Sequence, residues 1–335
     1  MRWTNANDML RERRRTSRRA VRVPRGADGA RGYHHGPFTS ARPLMIQSSR
    51  FLQLDVFPAR PGGGNPLGVV LDGCDWSDAR MQRFATWTDL VETTFVLPPT
   101  VPEASYRLRI FTPQREIPFA GHPTIGSAHA VLECGIAMPR DGMLMQECAA
   151  GLLPIRVENG VPRQLCVRSP AAHVVREGGT ELASILRGVE QGELLPAFVE
   201  GGRRWWVAEF AHEDALRGWH PDHAAIAALA HATDSLGLCV FARCRHRNYD
   251  VAVRAFPAGV GIVEDPASGA ANGLIAALIA QREPGGALAH GYRVSQGREI
   301  GRDAALLVRI EDGEIWVGGA TDTVVSGELR WGARD

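Results

Sequence analysis

Apolar and polar residues alternate over FLQLDVF (51–57), which predicts a strand with one buried face. A turn-rich stretch, ARPGGGNP (59–66), separates it from a short apolar strand, LGVVL (67–71). SDARMQRFATWT (77–88) has helical spacing, with Ser77 placed as the N-cap. ETTFVLPP (92–99) and YRLRIFTP (106–113) read as strands. Further strands are expected at 203–210, 237–244, 249–256, 292–297, 305–312 and 314–319.

Two segments have helical chemistry but no polar face. GHPTIGSAHAVLECGI (121–136) opens with Pro123 near the first helical position and is small or apolar all round. EDPASGAANGLIAALIAQR (264–282) repeats the design and reaches a polar position only at Gln281. A helix without a solvent face is buried on every side. Each follows a strand ending in Phe, 10 residues before Gly121 (Phe111) and 13 before Gly269 (Phe256). The pattern predicts an α+β protein of two similar domains, each a curved sheet wrapped around one central buried helix. Helix N-termini present unpaired N–H groups and positive dipole ends. Two of them facing one cleft would clamp a small acid; otherwise they are ordinary core helices. Gly121, Gly269 and Ala270 favour the cleft, because small residues let a ligand approach the backbone.

Composition narrows the chemistry. All 38 basic residues of the 335 are Arg, so Schiff-base, pyridoxal-phosphate and Walker-lysine chemistry is excluded. Residues 1–50 hold 12 Arg against three acids; the remaining 285 hold 26 Arg against 34 acids. An acidic body is a poor nucleic-acid binder, so no nucleic-acid partner is expected. No apolar run is long enough to cross a membrane as a helix, so no membrane partner is expected. The six cysteines form no C-x-x-C pair, and HPDHAAIAALAH (220–231) reads as a helix with surface histidines. No metal or cofactor is expected, and a reduced, cytoplasmic protein fits the cysteine usage. Residues 1–44 are Arg-rich, and disorder is expected there. Translation beginning at Met45 accounts for this tail; a nucleic-acid arm and an export signal compete.

Acid–base work is left to carboxylates and histidines. Glu92 opens a strand on the face shared with Thr94 and Val96. It is either a solvated strand-start residue or a glutamate whose pKa is raised by apolar neighbours. Asp265 precedes the second buried helix and either caps it or faces the cleft. The same alternatives apply to His122 at the first.

LDVFPARPGGGNPLGVV (54–70), ETTFV (92–96), FTPQREIPFAGHPTIG (111–126) and RAFPAGVGIVEDPASGAANG (254–273) occur in the order seen in the PhzF family. The chain resembles these phenazine-biosynthesis-like isomerases, which are related in fold to diaminopimelate epimerase. The resemblance covers about 280 residues. It implies two barrel-like domains: 45–165 together with the last strand, about 322–335, and 166–321. It also implies an active site between them, no cofactor and a homodimer. On the resemblance, Glu92 is the catalytic acid/base. His122, Gly121, Asp265, Ser268, Gly269, Ala270 and Asn65 bind a small carboxylic acid substrate. The family commonly reads E-D-P-A-T-G-S-A. Here Ala270 replaces the serine and Ser268 the threonine, which bears on the phenazine reaction itself. Neither helix start supplies a cysteine, so two-thiol racemisation is not expected. The implied function is a cofactor-independent, single-glutamate isomerase. The alternatives are another proton-transfer enzyme, such as an epimerase, or a metabolite-binding protein without turnover.

Overall fold

The computed structural model describes residues 48–246 and 248–332. The Arg-rich segment 1–44 lies outside them. The elements run β1 (Ser49–Val56), β2 (Asn65–Val70), α1 (Asp78–Thr88), β3 (Glu92–Leu97), β4 (Tyr106–Phe111), β5 (Glu116–Ile117) and α2 (Gly121–Glu133). There follow β6 (Met143–Cys148), β7 (Gly151–Glu158), β8 (Gln164–Arg168), β9 (His173–Glu177), β10 (Ala197–Gly201) and β11 (Arg203–Phe210). After α3 (Glu213–Gly218) and α4 (His223–Ala232) come β12 (Leu238–Arg243), β13 (Val251–Phe256) and α5 (Gly269–Arg282). The chain closes with β14 (Gly291–Gln296), β15 (Ala304–Glu311), β16 (Glu314–Gly319) and β17 (Thr321–Leu329).

Strand pairing shows an internal duplication. Hydrogen bonding runs β17-β1-β2-β3-β4-β6-β7-β8 and continues β16-β15-β14-β13-β12-β11-β10-β9. From β17 to β8 the pairs are antiparallel, antiparallel, parallel, antiparallel, parallel, antiparallel, antiparallel. From β9 to β16 the same series repeats. Parallel neighbours need a crossover, usually a helix. Accordingly α1 links β2 to β3, α2 stands between β4 and β6, α3 and α4 link β11 to β12, and α5 links β13 to β14. The last strand, β17, returns to pair with β1.

The two apolar helices are the centres of the two arcs. α2 packs on β1, β2, β3, β4, β8 and β17, and α5 on β9, β10, β11, β15 and β16. Ile125, Ala128, Val131, Ile275 and Ile279 are fully buried, and one apolar cluster takes in residues of both arcs. Burying each large aliphatic side chain contributes about 1.5–3 kcal/mol. α2 approaches β2 so closely that a Cβ on Gly126 would lie 2.5 Å from Leu67 Cδ2. A second cluster lies under α1, where Phe84, Phe95 and Trp76 meet.

Several boundaries shift. α2 stops at Glu133 rather than 136, because Gly135 takes φ +65° and turns the chain out. Pro123 is its third residue, not its first; N–H groups of the whole first turn lack intrahelical partners, so the proline still fits. α5 begins at Gly269, as the sequence spacing from Phe256 predicts. Its N-cap is Ser268, whose hydroxyl accepts from Ala271 N at 3.3 Å, as Ser77 does for Arg80 N in α1. α5 also meets solvent earlier than Gln281, since Ala270 is exposed. His220, His223 and His231 are all exposed, as a surface helix requires. No helix among the described residues is long and apolar enough to cross a membrane.

Candidate active site

The duplication brings the starts of α2 and α5 together. A Cβ on Gly121 would lie 3.3 Å from the Gly269 Cα, and a Cβ on Gly269 would lie 3.4 Å from the Gly121 Cα. A side chain at either position would push the two backbones apart by a few tenths of an ångström, so glycine permits the close approach. The N–H groups of Gly121, His122, Gly269 and Ala270 donate to no group among the described residues. Two positive helix ends therefore face each other with their first donors free, an arrangement that favours an anion. α2 has no side-chain cap, so His122 does not serve as one.

Glu92 reaches this point from the first position of β3. Strand alternation sends Thr94 to Ser127 of α2 at 2.9 Å, while Phe95 and Leu97 join the cluster under α1. Glu92 shares the Thr94 face and is 8% exposed, which excludes a solvated strand-start residue. Its Oε2 lies 3.3 Å from His122 Nε2. The approach lacks hydrogen-bond alignment, and both atoms are buried without a partner among the described residues. Burial, with the Asp265 charge second, pushes the Glu92 carboxyl up to about 8. Burial pushes the His122 imidazole down to about 3. At neutral pH the resting pair is thus a mostly protonated acid beside a neutral ring.

Asp265 does not cap α5. Its Oδ1 accepts from Ala267 N at 3.2 Å and from Asn65 Nδ2 at 3.2 Å. Desolvation outweighs these bonds and raises its pKa. The preceding Glu264 is gripped by Arg254 through Nε at 3.0 Å and Nη2 at 2.9 Å, a buried bidentate pair that anchors the turn. Asn65 is delivered by the glycine turn, which Asp55 holds by accepting from Gly62 N at 2.7 Å and Gly64 N at 2.8 Å. Asn65 is wholly buried, and its Nδ2 lies 3.3 Å from His122 Nδ1. Asn65, Glu92, His122, Asp265, Gly121 and Gly269 therefore converge. Ser268 is occupied as the cap, and Ala270 stands at the solvent-facing rim.

Gln296 belongs to the same wiring and has no sequence signature. Fully buried at the end of β14, it accepts from Ser268 N at 3.3 Å and Asn272 Nδ2 at 3.0 Å, and donates to the Asp265 carbonyl at 2.8 Å. Its partners lie 24 to 31 residues away in sequence, so no local pattern marks it. The duplication is not chemically symmetric. In the register of the second arc the position of Glu92 is held by Gly237, since Thr93 pairs with Phe111 as Leu238 pairs with Phe256, and the second residue of α5, the counterpart of His122, is Ala270. One arc supplies the carboxyl and the imidazole; the other supplies neither at those positions. Two surface hollows, about 410 Å³ and 710 Å³, lie elsewhere, beside His129, Glu133 and Thr321. Among the described residues no group of three His, Cys, Asp or Glu side chains is arranged to hold a metal ion.

Comparison with known proteins places the chain in a family. The family described as "Phenazine biosynthesis-like protein" matches residues 54–328. The trans-2,3-dihydro-3-hydroxyanthranilate isomerase of Pseudomonas aeruginosa is 32% identical over 266 residues, covering 78% of this chain and 90% of that protein. Antisense-enhancing sequence 1 of Schizosaccharomyces pombe is 30% identical over 293 residues, covering 83% of this chain and 97% of that protein. The crystal structure of the Bacillus anthracis PhzF-family protein superimposes with a TM-score of 0.73 at 25% identity, covering 84% of this chain and 99% of that one. A probable proline racemase from Agrobacterium radiobacter, at 14% identity and a TM-score of 0.58 over 86% of this chain and 94% of its own, shares the fold alone. The chain belongs to the phenazine biosynthesis-like, or PhzF, family and is an enzyme of the isomerase class.

Proposed function

We propose that this enzyme moves a proton within a small carboxylic acid, with Glu92 as the only acid/base and with no cofactor. Glu92 in its ionised form takes a proton from a carbon activated by a neighbouring carbonyl, carboxyl or double bond. The C–H electrons pass into that conjugated system, and the O–H formed on Glu92 then returns its proton to a second carbon. Substrate and product have the same composition, so no oxidant or co-reactant enters. His122 and the free N–H groups at Gly121, Gly269 and Ala270 hold the substrate carboxylate or the oxyanion that develops. Asp265 lines the site and keeps the Glu92 proton affinity high.

One observation carries the reading. Glu92 is a buried carboxyl with an unpartnered oxygen and a pKa pushed to about 8, and its counterpart in the other arc is Gly237, which has no side chain. A pKa near the working pH suits a group that must both accept and donate. A two-base epimerase would place a second proton carrier on the opposite face of the substrate, and Gly237 offers none. The Pseudomonas aeruginosa relative, named as acting on trans-2,3-dihydro-3-hydroxyanthranilate, supports a small cyclic acid as substrate. Ala270 favours the competing reading of a binding protein without turnover, because a methyl group stands where the family carries a hydroxyl. Incubation in deuterium oxide with trans-2,3-dihydro-3-hydroxyanthranilate and a pool of small cyclic acids separates the two. Deuterium entering a compound, or its conversion to an isomer by internal return of the proton, supports isomerisation; retention of an unchanged, unlabelled compound supports binding alone. The same reading carries a cytoplasmic homodimer, which light scattering on the purified protein tests for its oligomeric part.

A further inference from the structure

We propose that Asn65 is a positioning residue: its side-chain amide fixes the neutral His122 ring with the proton on Nε2, the nitrogen that faces Glu92. Asn65 Nδ2 lies within reach of three acceptors, His122 Nδ1 at 3.3 Å, Asp265 Oδ1 at 3.2 Å and the Ala267 carbonyl at 3.4 Å. The carbonyl can only accept, and Asp265 Oδ1 already accepts from Ala267 N. The opposite amide orientation would press Asn65 Oδ1 against both oxygens. The NH2 group is therefore on this side; its two hydrogens are shared among the three acceptors, and a proton on His122 Nδ1 would set two donors against each other at 3.3 Å, so Nδ1 is the unprotonated nitrogen. A neutral imidazole carries one proton, which then sits on Nε2.

This gives His122 a definite part in the reaction proposed above. Nε2–H is 3.3 Å from Glu92 Oε2 without alignment, so it is a buried donor still waiting for an acceptor. A ligand oxygen placed beside Glu92 supplies one. His122 then stabilises negative charge on the ligand and is not a second base. Asn65 does this as a wholly buried side chain, with no surface of its own. The same amide reaches Asp265 and Ala267 in the other arc, so one side chain couples ring orientation to the meeting of the two helix starts.

The test is histidine-nitrogen NMR on protein labelled with ¹⁵N-histidine, with the His122 signals assigned by His122→Gln. The wild-type ring is expected to show an unprotonated Nδ1 and a protonated Nε2. Asn65→Asp, which can only accept when ionised, is expected to move the proton to Nδ1. Asn65→Leu is expected to leave both tautomers populated. With any acid that the wild type labels in deuterium oxide, Asn65→Asp should lower kcat about 10²–10³-fold, the usual loss for one charge-stabilising donor, with a smaller change in KM. A wild-type ring protonated on Nδ1 overturns the proposal whether or not either variant folds. A tautomer shift in Asn65→Asp with kcat unchanged overturns the positioning role. Wild-type protein that neither labels nor converts any acid overturns the isomerase reading instead, while the tautomer is still decided by the spectrum.

Discussion

Replacing Glu92 with Gln should remove a specific pH dependence of stability. The carboxyl titrates at about 8 in the folded protein against 4.5 for an ordinary glutamate. Below 4.5 it is protonated in both states, and its contribution is fully present. Between the two values the unfolded chain has lost the proton and the folded one keeps it. The folded state then binds more protons, so stability falls as pH rises, and the contribution is gone above about 8. Each pH unit is worth about 1.4 kcal/mol, which makes the whole loss a few kcal/mol, with a ceiling of about 5. Gln keeps the shape and cannot ionise, so the variant lacks this slope. Asp265 and His122 titrate in both proteins and largely cancel in the difference. Urea unfolding of both proteins across this range would report it. The stability of Glu92→Gln relative to wild type should grow by a few kcal/mol from the acidic to the alkaline end. A difference that stays constant with pH would refute the burial argument.

Two further outcomes follow from the same geometry. Gly121→Ala adds a methyl 3.3 Å from the Gly269 Cα, so the helix starts must part. The shift is a few tenths of an ångström, short of the roughly 1 Å that costs about 10²-fold, so turnover should fall about tenfold while a melting scan shows a folded protein. The kcat/KM of the wild type should rise about tenfold per pH unit below about 8 and level above it, because the free enzyme needs ionised Glu92 to start. A profile that is flat across neutrality would point to another base.

What the sequence reveals follows from how local each signal is. The apolar runs of α2 and α5 have no polar face to confuse them, and burial followed. β11 and β16 match their expected limits because each is a bounded run of strand-forming residues. β6 to β10 were not foreseen. β7 is half-exposed and carries Pro154, which lacks a ladder N–H and weakens a strand reading, and β9 is mostly exposed. Of the two roles open to Asp265 in the sequence, capping falls to Ser268, three residues before the N–H it accepts from. Glu92 could not be told from a solvated glutamate until α2 was seen beside it. Asn65 meets its partners 57, 200 and 202 residues away, and Gln296 closes similar long-range contacts. Such residues are placed by the pairing of the arcs, which no local window contains.

The central claim is that a single buried carboxyl carries the migrating hydrogen. Its most direct measurement compares wild type with Glu92→Gln, each mixed with the labelled acid's unlabelled form in deuterium oxide and followed by proton NMR. The account predicts steady loss of one carbon-bound proton signal with wild type and none above background with the variant, which still binds the acid. Loss of that signal at the same rate in both proteins would contradict it.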